Sequence, residues 1–249
     1  MMPAAPPTPA PARARAVDWQ SVADRLFPQG HAIAEEGDLL DGSGRCGDVM
    51  FTVTGTTRHV DVGVEIALAM AQSVLRTVRE HPGRPILFLM DTEGQRLRRR
   101  DEMLGLNRYM AHIGKCVEVA RRHGHRIVGL VYGEALSGGF IASAMNADVC
   151  GALPDAQIYV MGLPAMARVT RIAEERLREL SRTSPVFAPG AVNYVAMGGV
   201  DALWEGDLAA CLMDALARAD GVDRRAEAGA ARGGRQFAAS VAHRVATDA

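Results

Sequence analysis

The sequence predicts an α/β protein made of repeated strand–helix units, on three observations. Residues 85–90 (PILFLM) and 127–132 (IVGLVY) are short apolar runs of the kind that form strands buried on both faces. Each run leads through glycines, at Gly94 and at Gly138-Gly139, into a stretch with helical periodicity. The chain has 249 residues, 48 % hydrophobic and 23 % charged, with a formal net charge of -1. A chain of that size buries one large core without needing disulfides or metal.

The elements follow in order. The first 16 residues are rich in Pro and Ala and read as a disordered tail, with no apolar stretch of the kind a secretory signal needs. Between Val17 and Asp41 the pattern is mixed, with Trp19, Leu26 and Phe27 as anchors. Residues 46–55 and 59–62 read as two short strands across the Gly55-Thr56-Thr57 turn. From Val64 to Arg79, Ile66, Leu68, Ala69, Ala71, Val74, Leu75 and Val78 recur at helical spacing, and His81-Pro82-Gly83 ends the run. Asp91-Thr92-Glu93-Gly94 closes the first buried strand, and a basic loop leads into a helix over 102–123. After the second buried strand, 134–145 reads as a helix containing the glycine pair. Residues 149–153 and 157–161 are further apolar segments around Pro154-Asp155, and helices are expected over 165–181, 190–197 and 208–219. The body is therefore one domain over 17–222, and the Ala/Arg/Gly composition of 223–249 predicts a mobile tail with one short helix.

Composition excludes several classes of function. The near-zero charge argues against nucleic-acid binding, and no apolar stretch reaches the roughly 18–20 residues of a membrane span. Cys46, Cys116, Cys150 and Cys211 form no C-x-x-C pair, which supports neither a zinc site nor a redox couple, and no metal site is expected. Unpaired cysteines and the missing signal point to the cytoplasm. Lys115, the only lysine, lies in a helical pattern, and no G-K-[ST] phosphate loop occurs.

Backbone donors are the most informative candidates for chemistry. A glycine pair between a strand and a helix lets another group approach the chain, and the first amides of a helix point outward at the positive end of its dipole. Gly139 and Phe140 could so donate to a developing oxyanion. The Gly94 loop repeats the arrangement, with donors from Gly94 or Gln95 and Arg96 as the arginine nearest the turn. Ala135–Gly139 also resembles a loosened G-x-S-x-G elbow, which would make Ser137 a hydrolase nucleophile. Its base is missing in the usual order, because only His243 lies downstream; His112, His123 and His125 lie upstream. His123 and His125 flank Gly124 without an evident third metal ligand. A third possibility is a non-catalytic subunit that completes a catalytic partner, with the arginine-rich helix from Ala165 as its interface.

Four stretches, DTEGQRLRRRDE, YGEALSGGF, QIYVMGLPAMARVT and SPVFAPG, together resemble the gamma subunit of biotin-independent malonate decarboxylase. That family is related to the C-terminal halves of biotin-dependent carboxyltransferases, whose D-x-x-G loop, glycine pair and V-M-G strand end correspond to Asp91–Gly94, Gly138-Gly139 and Val160–Gly162. The resemblance covers about residues 17–219. It implies a crotonase-like (ClpP/crotonase) superhelix of strand-strand-helix units and a site shared with a related beta subunit. The implied substrate is a malonyl thioester on an acyl carrier protein bearing a phosphoribosyl-dephospho-CoA arm, decarboxylated to the acetyl thioester. An alpha subunit, the carrier transferase, would join the larger complex, and no cofactor would bind this chain directly. The implied catalytic residues are Gly94, Gly138, Gly139 and Phe140, and Gln95, Arg96, Met161 and Gly162 would bind substrate. Whether these donors hold the thioester oxygen or the leaving carboxylate stays open, and Glu93 and Glu134 are candidate proton donors by proximity.

Overall fold

The computed structural model describes residues 17–181 and 189–247; the expected N-terminal tail and most of SPVFAPG lie outside the described residues. α1 (Trp19–Leu26) is capped by Asp18, whose carboxylate accepts from the Gln20 and Ser21 amides. β1 (His31–Glu36), β2 (Leu39–Cys46) and β3 (Val49–Thr56) form an antiparallel meander at one edge of a nine-stranded sheet. β1 and β2 lie in a stretch that carries little strand signal, because LLDGSGRC is polar and rich in glycine; its pairing with β3 makes it a strand.

β3 hands over to a parallel sheet. β4 (Val60–Val62), α2 (Val64–Glu80), β5 (Ile86–Gln95), α3 (Arg99–Met103), α4 (Leu106–Arg122) and β6 (Ile127–Leu136) follow in order. α5 (Ser137–Ile141), a 3-10 turn, β7 (Val149–Ala152) and β8 (Gln157–Tyr159) come next, and β9 (Ala202–Leu203) closes the order β3-β5-β6-β7-β9. β5 and β6 are long because each serves two partners in succession. Ile86–Leu89 pair with β3 and Thr92–Gln95 with β4, while Val128–Val131 pair with β7 and Glu134–Leu136 with β8. Between the two halves the β5–β6 register shifts at Met90/Thr92. Each long strand is thus two strands of a strand-strand-helix unit run together, and repetition of that unit is the crotonase-like superhelix.

Alternate residues of the apolar runs go to opposite faces. Ile86, Phe88 and Met90 join Ile127 and Val131 under α2 and α4. Leu87 and Leu89 join Val128, Leu130 and Tyr132 against α1 and α9 (Leu208–Arg218). Cover on both faces is why these runs show no alternation in sequence.

The structure corrects several expected boundaries. Asp91–Gly94 is not a closing loop but the second half of β5, and the helix expected from 134 begins at Ser137, because Glu134–Leu136 are claimed by β8. The helix over 102–123 is divided at Gly105, which is left-handed at φ 78°. That over 165–181 is divided into α6 (Leu163–Thr170) and α7 (Glu174–Leu180), with Arg171 left-handed at φ 61°. Past residue 222 the chain forms α10 (Arg225–Ala231) and α11 (Ala238–Thr247) rather than one short helix. α10 packs on α8 (Ala191–Met197): a Cβ on Gly229 would fall 2.2 Å from the Met197 carbonyl oxygen, and Arg232 donates to the Val195, Val200 and Asp201 carbonyls.

Candidate active site

The carboxyl ends of β5, β6 and β8 meet at the start of α5. Gly94 is left-handed at φ 99°, and a Cβ there would lie 3.0 Å from the Leu136 carbonyl oxygen. A Cβ on Gly139 would in turn lie 3.1 Å from the Gly94 carbonyl carbon. Two backbones therefore touch where side chains would keep them apart, and only glycine fits both positions closely. Ser137, left-handed at φ 45°, turns the chain from strand to helix and donates its hydroxyl to the Val160 carbonyl at 2.6 Å, tying α5 to the end of β8.

The amides at this junction have different partners. The Gly94 N–H donates to Thr92 Oγ1 at 3.0 Å, and that hydroxyl donates to the Val60 carbonyl. The Gly138 N–H donates to Gln95 Oε1 at 2.8 Å. Leu136 is the N-cap of α5, so its carbonyl takes the Phe140 N–H as the first bond of the helix. The Gly139 N–H, one position earlier, has no acceptor within the helix. The Gly139 carbonyl is held from behind by the buried Ser143 hydroxyl at 2.5 Å. The Phe140 ring is buried edge-on to Tyr194, with centroids 6.4 Å apart. α5 is thereby anchored through its apolar side, and Gly139 is buried with Phe140 at its start.

A buried carboxylate sets the backbone beneath. Asp91 is 2 % exposed; Oδ1 accepts from the Glu134 N–H at 2.7 Å and meets His59 Nδ1 at 2.5 Å, while Oδ2 accepts from the His59 N–H at 3.0 Å. It joins the turn before β4, the β5 register shift and the second half of β6. Gly133 makes room for it, since a Cβ there would lie 2.3 Å from Oδ1. The D-x-x-G motif carried the signal for this residue, but its role as a three-element tie depends on contacts that are distant in sequence.

Of the expected site residues, Gly94, Gln95, Gly138, Gly139 and Phe140 come together. Met161 and Gly162 come after Val160 at the end of β8, with Gly162 as the N-cap of α6. Arg96 turns aside: its Nε donates to Asp61 at 3.0 Å, and its guanidinium fills the space above Gly63. Arg98 and Arg99 are exposed. The histidines that the sequence singles out, His112, His123 and His125, lie elsewhere. His123 and His125 donate from Nδ1 to the Val119 and Arg84 carbonyls, and His112 packs beside Cys116 at 3.6 Å. Cys116 and Cys150 are buried, and burial pushes both thiols up. Among the described residues no cluster of three or more His, Cys, Asp or Glu could hold a metal, and no helix is long and apolar enough to cross a membrane.

The segments around the junction expose apolar side chains. Leu97 is 78 % exposed, Met103 76 % and Val169 69 %, with Ile141 and Val160 also exposed. α6 has no buried residue and α7 only Leu177. A cleft of about 430 Å³ lies at the other end of the sheet, lined by Arg121, Asp148 and Arg225 among others. Its arginines are spent on carboxylates, Arg121 on Asp148 and Arg225 on Asp223.

Comparison with known proteins agrees with this fold. A family model described as malonate decarboxylase gamma subunit (MdcE) matches residues 57–249. The malonyl-S-ACP:biotin-protein carboxyltransferase MADD of Malonomonas rubra is 36 % identical over 153 residues, 58 % of this chain and 52 % of that protein. The chain thus spans about half the length of that relative. Among solved structures, a chain of a Pseudomonas malonate decarboxylase hetero-tetramer in complex with coenzyme A superposes with a TM-score of 0.76 at 24 % identity, covering 92 % of this chain and 98 % of that one. A chain of the Pseudomonas MdcD-MdcE hetero-dimer gives 0.72 at 24 % identity over 93 % and 97 %. Transcarboxylase 12S gives 0.70 at 18 % identity, covering 83 % of this chain and 42 % of that one.

Proposed function

The chain belongs to the malonate decarboxylase gamma-subunit family, and on that premise we propose that it forms, with a crotonase-like beta subunit, the site that converts a malonyl thioester on an acyl carrier protein to the acetyl thioester and carbon dioxide. The observation that carries the reading is the Gly94–Gly139 junction, where the buried first turn of α5 packs backbone to backbone on the end of β5. Breaking the bond to the carboxylate releases carbon dioxide and leaves the electron pair on the α-carbon, delocalised onto the thioester oxygen as an enolate, and a proton from water then adds to that carbon to give the acetyl thioester. A preorganised N–H aimed at that oxygen lowers the barrier, and loss of one such donor typically costs about 10² to 10³ in rate.

In this reading Gly139 is the donor from this chain, Gly94 and Gly138 shape the turn behind it, and Phe140 anchors it. Gln95, Met161 and Gly162 line the substrate's approach, and Arg98 and Arg99 flank the path of the phosphate-bearing carrier arm in place of Arg96. The partner covers the exposed apolar segments at Leu97, Ile141, Val160 and α6, and excludes water from the reacting group. The alpha subunit of the larger complex transfers the carrier, and the assembly works in the cytoplasm.

The test is carbon dioxide release from a malonyl-thioester carrier protein by this chain, by its crotonase-like partner and by both. Release only from the mixture is expected. A complete mixture of folded subunits and competent carrier that releases none would overturn the reading.

A further inference from the structure

Gln95 places a neutral carbonyl oxygen on an amide of the proposed oxyanion turn. Its Oε1 accepts the Gly138 N–H at 2.8 Å, and a Cβ on Gly138 would fall 2.9 Å from that oxygen, so the glycine lets the carboxamide lie flat on the turn. The backbone of Gln95 is fixed from the other side. It ends β5 in register with Val62 of β4, and the next amide, that of Arg96, donates to the Val62 carbonyl at 2.9 Å. The side chain thus spans from the β4–β5 edge to the start of α5. A carboxylate at the same place would satisfy Gly138 equally well, but would set a full negative charge beside the amide that must receive an enolate oxygen. At such range in a half-buried site, that repulsion opposes the reaction.

Resting on the decarboxylase reading, we propose that Gln95 is a positioning residue: its uncharged oxygen holds the Gly138 N–H and fixes the turn, so that position 95 adds no negative charge where the substrate's developing charge meets the start of α5. Two substitutions separate hold from charge. Gln95→Met keeps the volume and loses the oxygen, whereas Gln95→Glu keeps the acceptor and adds the charge.

In the complex with the crotonase-like partner, assayed on malonyl-thioester carrier protein, Gln95→Met lowers kcat about tenfold with KM within about twofold, the pattern of an interaction realised in the transition state. Gln95→Glu lowers kcat about a hundredfold at pH 8 and regains about tenfold relative to Gln95→Met on going to pH 5, as the introduced carboxyl, with an ordinary pKa of about 4.3, begins to protonate. A residue that only filled space would show no such pH-dependent gain. Gln95→Ser carries the same expectation as Gln95→Met should the latter fail to fold. In the full-length chain, the Gly138 amide proton resonance should also move upfield in Gln95→Met. Equal losses in the Met and Glu variants at every pH, no loss in either, or an unmoved Gly138 resonance would overturn the proposal while leaving an active wild-type complex intact. An inactive wild-type complex would instead sink the decarboxylase reading and this proposal with it.

Discussion

A methyl group added at Gly139 would press on the Gly94 backbone at 3.1 Å, and valine adds two further carbons at the same point. Gly139→Val should therefore move α5 off β5 and lower turnover of the two-chain complex by about 10² to 10³, with far-UV circular dichroism unchanged. Wild-type turnover by that variant would remove Gly139 from the site. Asp91 carries a structural load instead, because its carboxylate ties three elements through hydrogen bonds. Asp91→Ala strands the half-buried Glu134 N–H and releases His59, and about 1–3 kcal/mol should be lost in denaturant unfolding, with less lost by Asp91→Asn, which keeps one acceptor. Sequence showed both residues through their motif. It did not show which amides were already taken, because the acceptors for Gly138 and Phe140 are set by how β5 and β6 end side by side.

At the scale of elements, α6 fully buries none of its residues and leaves Val169 exposed although its sequence is amphipathic, which fits a helix that packs fully only when a partner is present. Val169→Asp should weaken assembly with the beta subunit by at least tenfold in Kd, read by analytical ultracentrifugation, while the isolated chain keeps its thermal stability. Unchanged assembly would take α6 out of the interface. The 220–235 segment holds through charge as well as packing. The hydrogen bond from Arg225 lowers the Asp223 carboxyl to about 2, and that from Arg224 lowers the Asp220 carboxyl. A carboxyl held below its unfolded value of about 3.9 contributes stability above that pH and loses it as the pH falls through the folded value. Hydrogen-exchange protection of α10 should therefore drop between about pH 4 and pH 2 ahead of protection in β5 and β6, by a small margin because both carboxylates are largely exposed.

For the whole molecule, the proposed shared site predicts a rate that depends on the partner's concentration. At fixed amount of this chain, carbon dioxide release should rise with added beta subunit and reach a plateau when the two are equimolar. Release by this chain alone at the plateau rate would contradict a shared site.

The sequence by itself determined the two central strands, the helices α2 and α9, and the glycines of the junction. Long apolar runs have few alternatives to burial on both faces, and a glycine pair before a helix marks a close approach whatever surrounds it. Tertiary structure decided the rest. Asp91–Gly94 reads as a closing loop and Glu134–Leu136 as the start of a helix; they are strands because β4 and β8 supply their hydrogen bonds. β1 and β2 likewise owe their existence to β3 rather than to their own residues. The segment after 222 looked mobile by composition, yet α10 is held by arginine contacts to carbonyls of α8 and its following turn. Strand pairing and side-chain-to-backbone bonds join residues far apart in the chain, and a pattern read locally contains the residues but not their partners.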